Sequence, residues 1–177
     1  KSETLKIEKK FNELNDVYEI MLKNSNTKLL GLRGLMEQNL RAQDFHHAFI
    51  YGEKLFNNNP YVEKIYDTLL NIIVKTSNWQ QLLSITDKAY TKKIIEKKVF
   101  QENKSIAFFE IAKIKQHSEV NESLDYIKKA LNLRKNFPPY IRLYLELLIQ
   151  NKNYKIAKKY IKKVWKDIPH PEYKLVI

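Results

Sequence analysis

The side chains in this sequence that could do chemistry are few. Four histidines, His46, His47, His117 and His170, are the candidates for ligating a metal or a haem iron. There is no cysteine to supply a thiolate, a disulfide or a sulfur nucleophile. His46 and His47 are adjacent, so on a helix their rings project about 100° apart and cannot share an ion. His117 and His170 fall in polar stretches that read as turns. Among the acids, Glu110 alone sits where the pattern calls for an apolar residue. A carboxylate among apolar neighbours can act as a general acid or base; a satisfied hydrogen bond or a salt bridge beside an insertion accounts for it equally well. Phosphate loops, nucleophile elbows and zinc signatures are absent. The residues point away from an enzyme, and they imply no cofactor, no metal and no catalytic site.

Charge is the other chemistry available. The net charge is +12, and residues 121–177 hold 13 Lys/Arg against 5 Asp/Glu, so the excess is concentrated in the last third. Such asymmetry suits an acidic partner, a nucleic acid or an anionic membrane surface. Only Arg33, Arg41, Arg134 and Arg142 are arginine. The remaining basic residues are lysines, and Asn and Ile are abundant, a profile that an AT-rich coding sequence writes on solvent-facing positions. The last helical stretch places Tyr154, Ala157, Ile161, Val164 and Trp165 on one stripe. Lys155, Lys158, Lys159, Lys162, Lys163 and Lys166 cover the rest. A basic amphipathic helix can lie on anionic lipid. The repeat register of the chain assigns the stripe to the core, which leaves any lipid contact to the lysines. Nucleic-acid binding would call for exposed aromatics or arginines and ranks third.

The elements that position these residues come from a unit written more than once. Phe45 and Trp79 are 34 residues apart, as are Asp44 and Asn78, Ala48 and Leu82, and Leu35 and Leu69. The same spacing returns from Val120 to Tyr154 and from Glu119 to Asn153. Apolar residues within each unit recur at three and four, the pattern of amphipathic helices. A 34-residue period of two short helices resembles a tetratricopeptide (TPR) repeat. The expected fold is all-α, one right-handed α-solenoid over 1–177 with repeats at 29–62, 63–96, 104–137 and 138–171. A lone helix or half repeat precedes them at 1–26, with apolar residues at Leu5, Ile7, Phe11, Leu14, Val17, Tyr18, Met21 and Leu22. Between Trp79 and Val120 the spacing is 41, so 91–103 reads as an insertion that lengthens helices around Lys92 to Lys98. Ala48, Ala89, Ala130 and Ala157 fall where the helices should cross most closely. Gly31 and Gly34 should let a neighbouring helix approach. In the third repeat Ala107, Ile111 and Ile114 are expected inward, while Glu110 and Ser123 break the apolar pattern.

Some strings narrow the resemblance. Thr27-Lys28-Leu29-Leu30-Gly31-Leu32-Arg33-Gly34-Leu35 resembles the T-x-x-L-G-L-R-G-L segment of the HemY family, haem-biosynthesis-associated TPR proteins of proteobacteria. Asp44-Phe45 with Ala48, Tyr51-Gly52-Glu53-Lys54-Leu55, Asn78-Trp79, and Trp165 with Pro169-His170-Pro171 are similar to that family's later motifs. The resemblance implies a non-enzymatic protein-interaction scaffold associated with haem or porphyrin synthesis at the bacterial inner membrane. Its anchoring segment would precede Lys1, and the TPR region would face the cytoplasm. A porphyrin- or haem-binding carrier is the alternative, and binding through the basic face to membrane or nucleic acid is a third.

In a TPR array the concave wall is built by the first helix of each repeat, at positions that packing leaves unused. Here those are Arg33, Glu37, Asp67, Asn71, Lys75, Phe108, Lys115, Arg142, Glu146 and Gln150. Their mixed charge, with Phe108 the one aromatic among them, favours a polar peptide or protein over an apolar ligand. The scarce arginines matter most, because a guanidinium fork can grip a carboxylate through two hydrogen bonds.

Overall fold

The computed structural model describes residues 13–167 and 169–171. Leu5, Ile7 and Phe11 of the expected first helix, and the last six residues, lie outside them. The fold is all-α, and no strand occurs among the described residues. Helix α1 is described over residues 13–22. It is followed by α2 (Lys28–Arg41), α3 (Phe45–Asn58), α4 (Ile65–Thr76) and α5 (Trp79–Thr91). Then come α6 (Lys97–Lys115), α7 (Val120–Leu133), α8 (Pro138–Gln150) and α9 (Tyr154–Asp167). Helices α3 and α5 begin 34 residues apart, and so do α7 and α9, as the sequence period requires of TPR helix pairs. The chain forms two compact units, Lys1–Asn78 and Trp79–Ile177. Their boundary falls inside the stretch 63–96 read as the second repeat.

In the first unit α2 packs on α3 and α3 on α4. Leu32, Leu35 and Met36 of α2 meet Phe49, Leu55 and Phe56 of α3 in a core closed by Leu69, Ile72 and Ile73 of α4. Ala48 is fully buried, as its place in the register demands. Gly52 gives α3 its closest approach, since a Cβ there would lie 3.0 Å from both the Leu69 side chain and the Met36 sulfur. Gly31 and Gly34 do the same for α1. A Cβ on Gly31 would sit 2.8 Å from the Tyr18 carbonyl oxygen, and one on Gly34 would overlap the Tyr18 ring. Helix α1 thus docks through Tyr18, Met21 and Leu22. Leu14 and Val17, expected on the same stripe, are exposed instead.

In the second unit α5 through α9 pack each on the next. Ala89, Ala107, Ala112, Ala130 and Ala157 are buried at the contacts. Tyr140 is the largest side chain here to be fully enclosed. Its ring packs on Phe109 and Phe137, and its hydroxyl lies 3.2 Å from the Ser105 hydroxyl. Ser123, a polar residue among apolar positions, donates its hydroxyl to the Ala112 carbonyl at 2.7 Å and ties α7 to α6. Three expectations need correction. Ile114, placed inward by the period, is 65% exposed because α6 turns it away from α7. Tyr154 and Trp165 are also exposed, leaving Ala157, Tyr160, Ile161 and Val164 to pack α9. The insertion does not lengthen α5, which stops at Thr91 before a turn over 92–96. The added length goes into the 19-residue α6, whose Phe100 stacks on Tyr90 at 4.3 Å between ring centres. Lys104 secures it by donating to Asp87 at 2.8 Å.

Turns repeat as faithfully as helices. Gln43, Ser77 and Lys152 each stand two residues before a return helix, and each is left-handed, with φ of 59°, 53° and 58°. In each case the next residue's amide reaches back five residues, from Asp44 to Asn39, Asn78 to Ile73 and Asn153 to Leu148. Lys93, with Ile94 bonded to Ala89, closes α5 the same way. This is the Schellman closure, which elsewhere usually employs glycine.

These contacts generate two stability predictions. Gly31→Ala forces a methyl against the Tyr18 backbone, so overpacking of about 1–3 kcal/mol should exceed the roughly 1 kcal/mol of helix propensity gained, lowering the melting temperature. Ser77→Gly and Lys152→Gly relieve left-handed strain and should each stabilise by about 0.5–1 kcal/mol in thermal or urea melts. A raised melting point for Gly31→Ala, or lowered ones for the two glycine variants, would show the packing or the turns to be misassigned.

Candidate functional site

The expected site residues divide between the two units. In the first, Arg33 and Glu37 lie one turn apart on α2, and the Arg33 Nε donates to Glu37 Oε1 at 2.8 Å. Both side chains are about half exposed. The hydrogen bond to Glu37, then the charge of Glu37, raises the Arg33 pKa above its ordinary value. Asp67, Asn71 and Lys75 are exposed on α4. The Lys75 ammonium stands 5.0 Å above the Phe45 ring, which holds it along the α3 side of its helix. A depression of about 340 Å³ opens beside Arg33 and Glu37, floored by Met36, Leu55 and Ile65 and rimmed by Lys64.

In the second unit Arg142 and Glu146 repeat the α2 arrangement on α8, again with Nε donating to Oε1 at 2.8 Å. Arg33 and Arg142 stand four residues after residues 29 and 138, the same place in the first and fourth repeats. Asp67 occupies that place in the second repeat and Phe108 in the third. Phe108 serves packing. It is half-buried, 6.1 Å from the Tyr126 ring, with the Lys104 and Lys129 ammoniums near its face. Lys115 is also engaged, since it bridges Glu119 at 2.8 Å and Glu122 at 2.9 Å across the α6–α7 turn. Those two partners, Glu119 first, raise its pKa, and Lys115 in turn lowers that of Glu122. Gln150 is exposed at the end of α8.

A larger feature was not legible in the register. Helices α7, α8 and α9 border a cleft of about 510 Å³. Leu131, Tyr144, Tyr160 and Val164 give it apolar surface, with the two tyrosine rings edge to face at 4.9 Å. Lys128, Lys135 and Lys163 and the carboxamides of Asn132 and Asn136 complete the lining, and none of the described residues that line it is acidic. The sequence signal was present in Lys135-Asn136 beside Pro138-Pro139, but only the chain reversal brings it opposite Lys163.

The residues with catalytic or ligating potential are held in local contacts. Asp44 caps α3 by accepting from the His47 amide at 3.1 Å, and its other oxygen lies 2.8 Å from the His47 ring. The His46 and His47 rings meet edge to face at 5.3 Å. His117 lies in the α6–α7 turn, 2.9 Å from the Gln116 amide. His170 follows α9 outside any helix. Glu110 pairs with Lys113 one turn along α6 at 3.0 Å, which accounts for an acid at a near-core position. Among the described residues no three His, Asp or Glu side chains converge to hold a metal ion, and no helix is long and apolar enough to cross a membrane.

No family model and no curated protein matches the chain. Among solved structures it is similar to the MamA RS-1 ArsTM double mutant, at 11% identity and a TM-score of 0.42 over 93% of this chain and 89% of that one. It is also similar to MamA 41-end from Desulfovibrio magneticus RS-1, at 11% identity and a TM-score of 0.40 over 89% of this chain and 94% of that one. Both likenesses are remote.

The Asp44 cap has a pH signature. The His47 amide, then the His47 ring, lower its pKa below the usual carboxylate value. With the folded value below the unfolded one, its contribution is complete above about pH 4 and is lost as pH falls through the folded value. At pH 7 Asp44→Ala should melt below the unsubstituted chain, with the gap closing under acid. A gap that persists at pH 2 would assign the cap's effect to something other than the carboxylate.

Proposed function

We propose that this chain is a non-enzymatic scaffold that binds a protein partner along the outward faces of its first helices. The fold supports this, because one repeat cannot bury its own face and stacked repeats present regularly spaced side chains on a rigid frame. The observation that carries the reading is the duplicated Arg–Glu pair. Arg33–Glu37 and Arg142–Glu146 share repeat position, geometry and exposure, in a chain where arginine is scarce. An exposed pair one turn apart adds only about 0.3–0.5 kcal/mol to its helix, so stability is a weak reason for such pairs. Each glutamate instead holds its guanidinium in one orientation, which lowers the ordering cost of gripping a partner carboxylate. In the first unit Asp67 and Asn71 continue the polar face; in the second, Gln150 does so.

The resemblance of residues 27–35 to the HemY segment supports a finer setting, a scaffold associated with haem or porphyrin synthesis at the inner membrane. The histidine surroundings favour a scaffold over a porphyrin carrier in that setting. His47 is bound to its own helix cap and His46 stacks on it.

The test uses the chain as bait on detergent-solubilised membranes and cytosol, beside an Arg33→Ala/Arg142→Ala variant of equal helicity and melting point. The expected result is a partner retained by the unsubstituted chain, released by moderate salt, and bound about tenfold or more weakly by the variant. Retention unaffected by the arginine changes would place the interface elsewhere. Stoichiometric haem binding, lost on changing one histidine, would overturn the scaffold reading in favour of a carrier.

A further inference from the structure

The cleft bordered by α7, α8 and α9 uses none of the first-helix positions that carry the scaffold reading, and it sets three lysines beside an apolar surface. Three of the nine described residues that line it are lysines, and none is a carboxylate. Lys128 pairs with Asp125 at 3.5 Å one turn back on α7, while Lys135 and Lys163 form no ion pair among the described residues. Three lysines around one concavity repel each other, and an anion relieves that repulsion. Asn132 and Asn136 add side-chain amides that can donate to an anion's oxygens.

The cleft is also built to keep its shape. Lys135 and Asn136 sit on the turn between α7 and α8, which Pro138 at the helix start, Pro139 and the enclosed Tyr140 hold in place. The Arg134 guanidinium lies 4.1 Å over the Phe137 ring on the same turn. A rigid rim loses little freedom when it binds.

Two features select the ligand. The tyrosine pair with Leu131 and Val164 offers an apolar surface that a bare phosphate would leave unfilled, and aromatic side chains of this kind anchor protein interfaces. None of the described lining residues is arginine, so they offer no bidentate fork of the kind favoured by phosphate groups, while separate lysines suit separate carboxylates. We propose that this cleft binds an acidic peptide segment of a protein partner, one carrying an aliphatic or aromatic side chain between its carboxylates.

This site is separate from the arginine faces, so either can fail alone. The experiment measures fluorescence anisotropy of a labelled peptide with glutamates flanking a central leucine, titrated with the full chain. A glutamine version of the peptide and vesicles containing phosphatidylglycerol are run beside it. Lys135→Ser/Lys163→Ser should weaken peptide binding about tenfold or more. Lys155→Ser/Lys158→Ser, which removes the same charge outside the cleft, and Arg33→Ala/Arg142→Ala should each change it less than about threefold. Tyr160→Ala should weaken binding with helicity retained. Equal losses in the two lysine pairs, equal binding of the glutamine peptide, or vesicle binding that depends on Lys135 and Lys163 while the peptide does not bind would each overturn the proposal.

Discussion

The reversal between paired helices is the constraint on which the rest depends. Three of the four return helices begin two residues after a left-handed residue, and the amide beyond it closes onto a carbonyl five residues back. That closure satisfies carbonyl groups left open at a helix end and sets the direction in which the chain leaves. Because it recurs at Gln43, Ser77 and Lys152, the return helices α3, α5 and α9 start in the same register. None of these residues is glycine, so each turn holds some backbone strain, offset by its hydrogen bonds and by the burial of the helices it joins.

Once the turn has set direction, side-chain volume sets distance. Alanines at 48, 89, 130 and 157 are buried where helices cross, and Gly31, Gly34 and Gly52 mark still closer contacts. The third repeat departs from this economy, with a long α6 and a hydroxyl at Ser123. It is held by specific polar ties instead, Ser123 to the Ala112 carbonyl and Ser105 to Tyr140. The second tie meets the hydroxyl of the enclosed Tyr140, whose pKa burial pushes upward. The Tyr140 ring in turn packs on Phe137 in the turn that bears Lys135.

Surface chemistry then depends on which helix faces packing has used. Lys115 and Phe108 occupy first-helix positions but are drawn into a charge bridge and an aromatic contact within the second unit. Arg33 and Arg142 remain outward, each oriented by a glutamate one turn on. The lysine excess of the last third is likewise not uniform. Six of its lysines lie on α9, and one of these, Lys163, gathers with Lys128 and Lys135 around one concavity with an apolar lining.

The sequence alone determined the helix pairs and most of their buried faces, because both are local and periodic. A 34-residue repeat needs only matched spacing to be visible, and the buried alanines announce themselves by recurring at two places in that spacing, Ala48 with Ala157 and Ala89 with Ala130. Duplication of Arg33 and Arg142 was legible for the same reason. Tertiary structure decided what the period could not express. It ended α5 at Thr91 and extended α6 instead, since either helix could have absorbed seven residues and the Tyr90–Phe100 stack and the Lys104–Asp87 pair fix which one did. It turned Ile114 outward, because in a helix as long as α6 the face that is buried depends on where its neighbours end. It assembled the basic cleft from residues separated by up to 36 positions, from Lys128 to Val164, whose proximity is a property of two chain reversals and of no spacing along the chain.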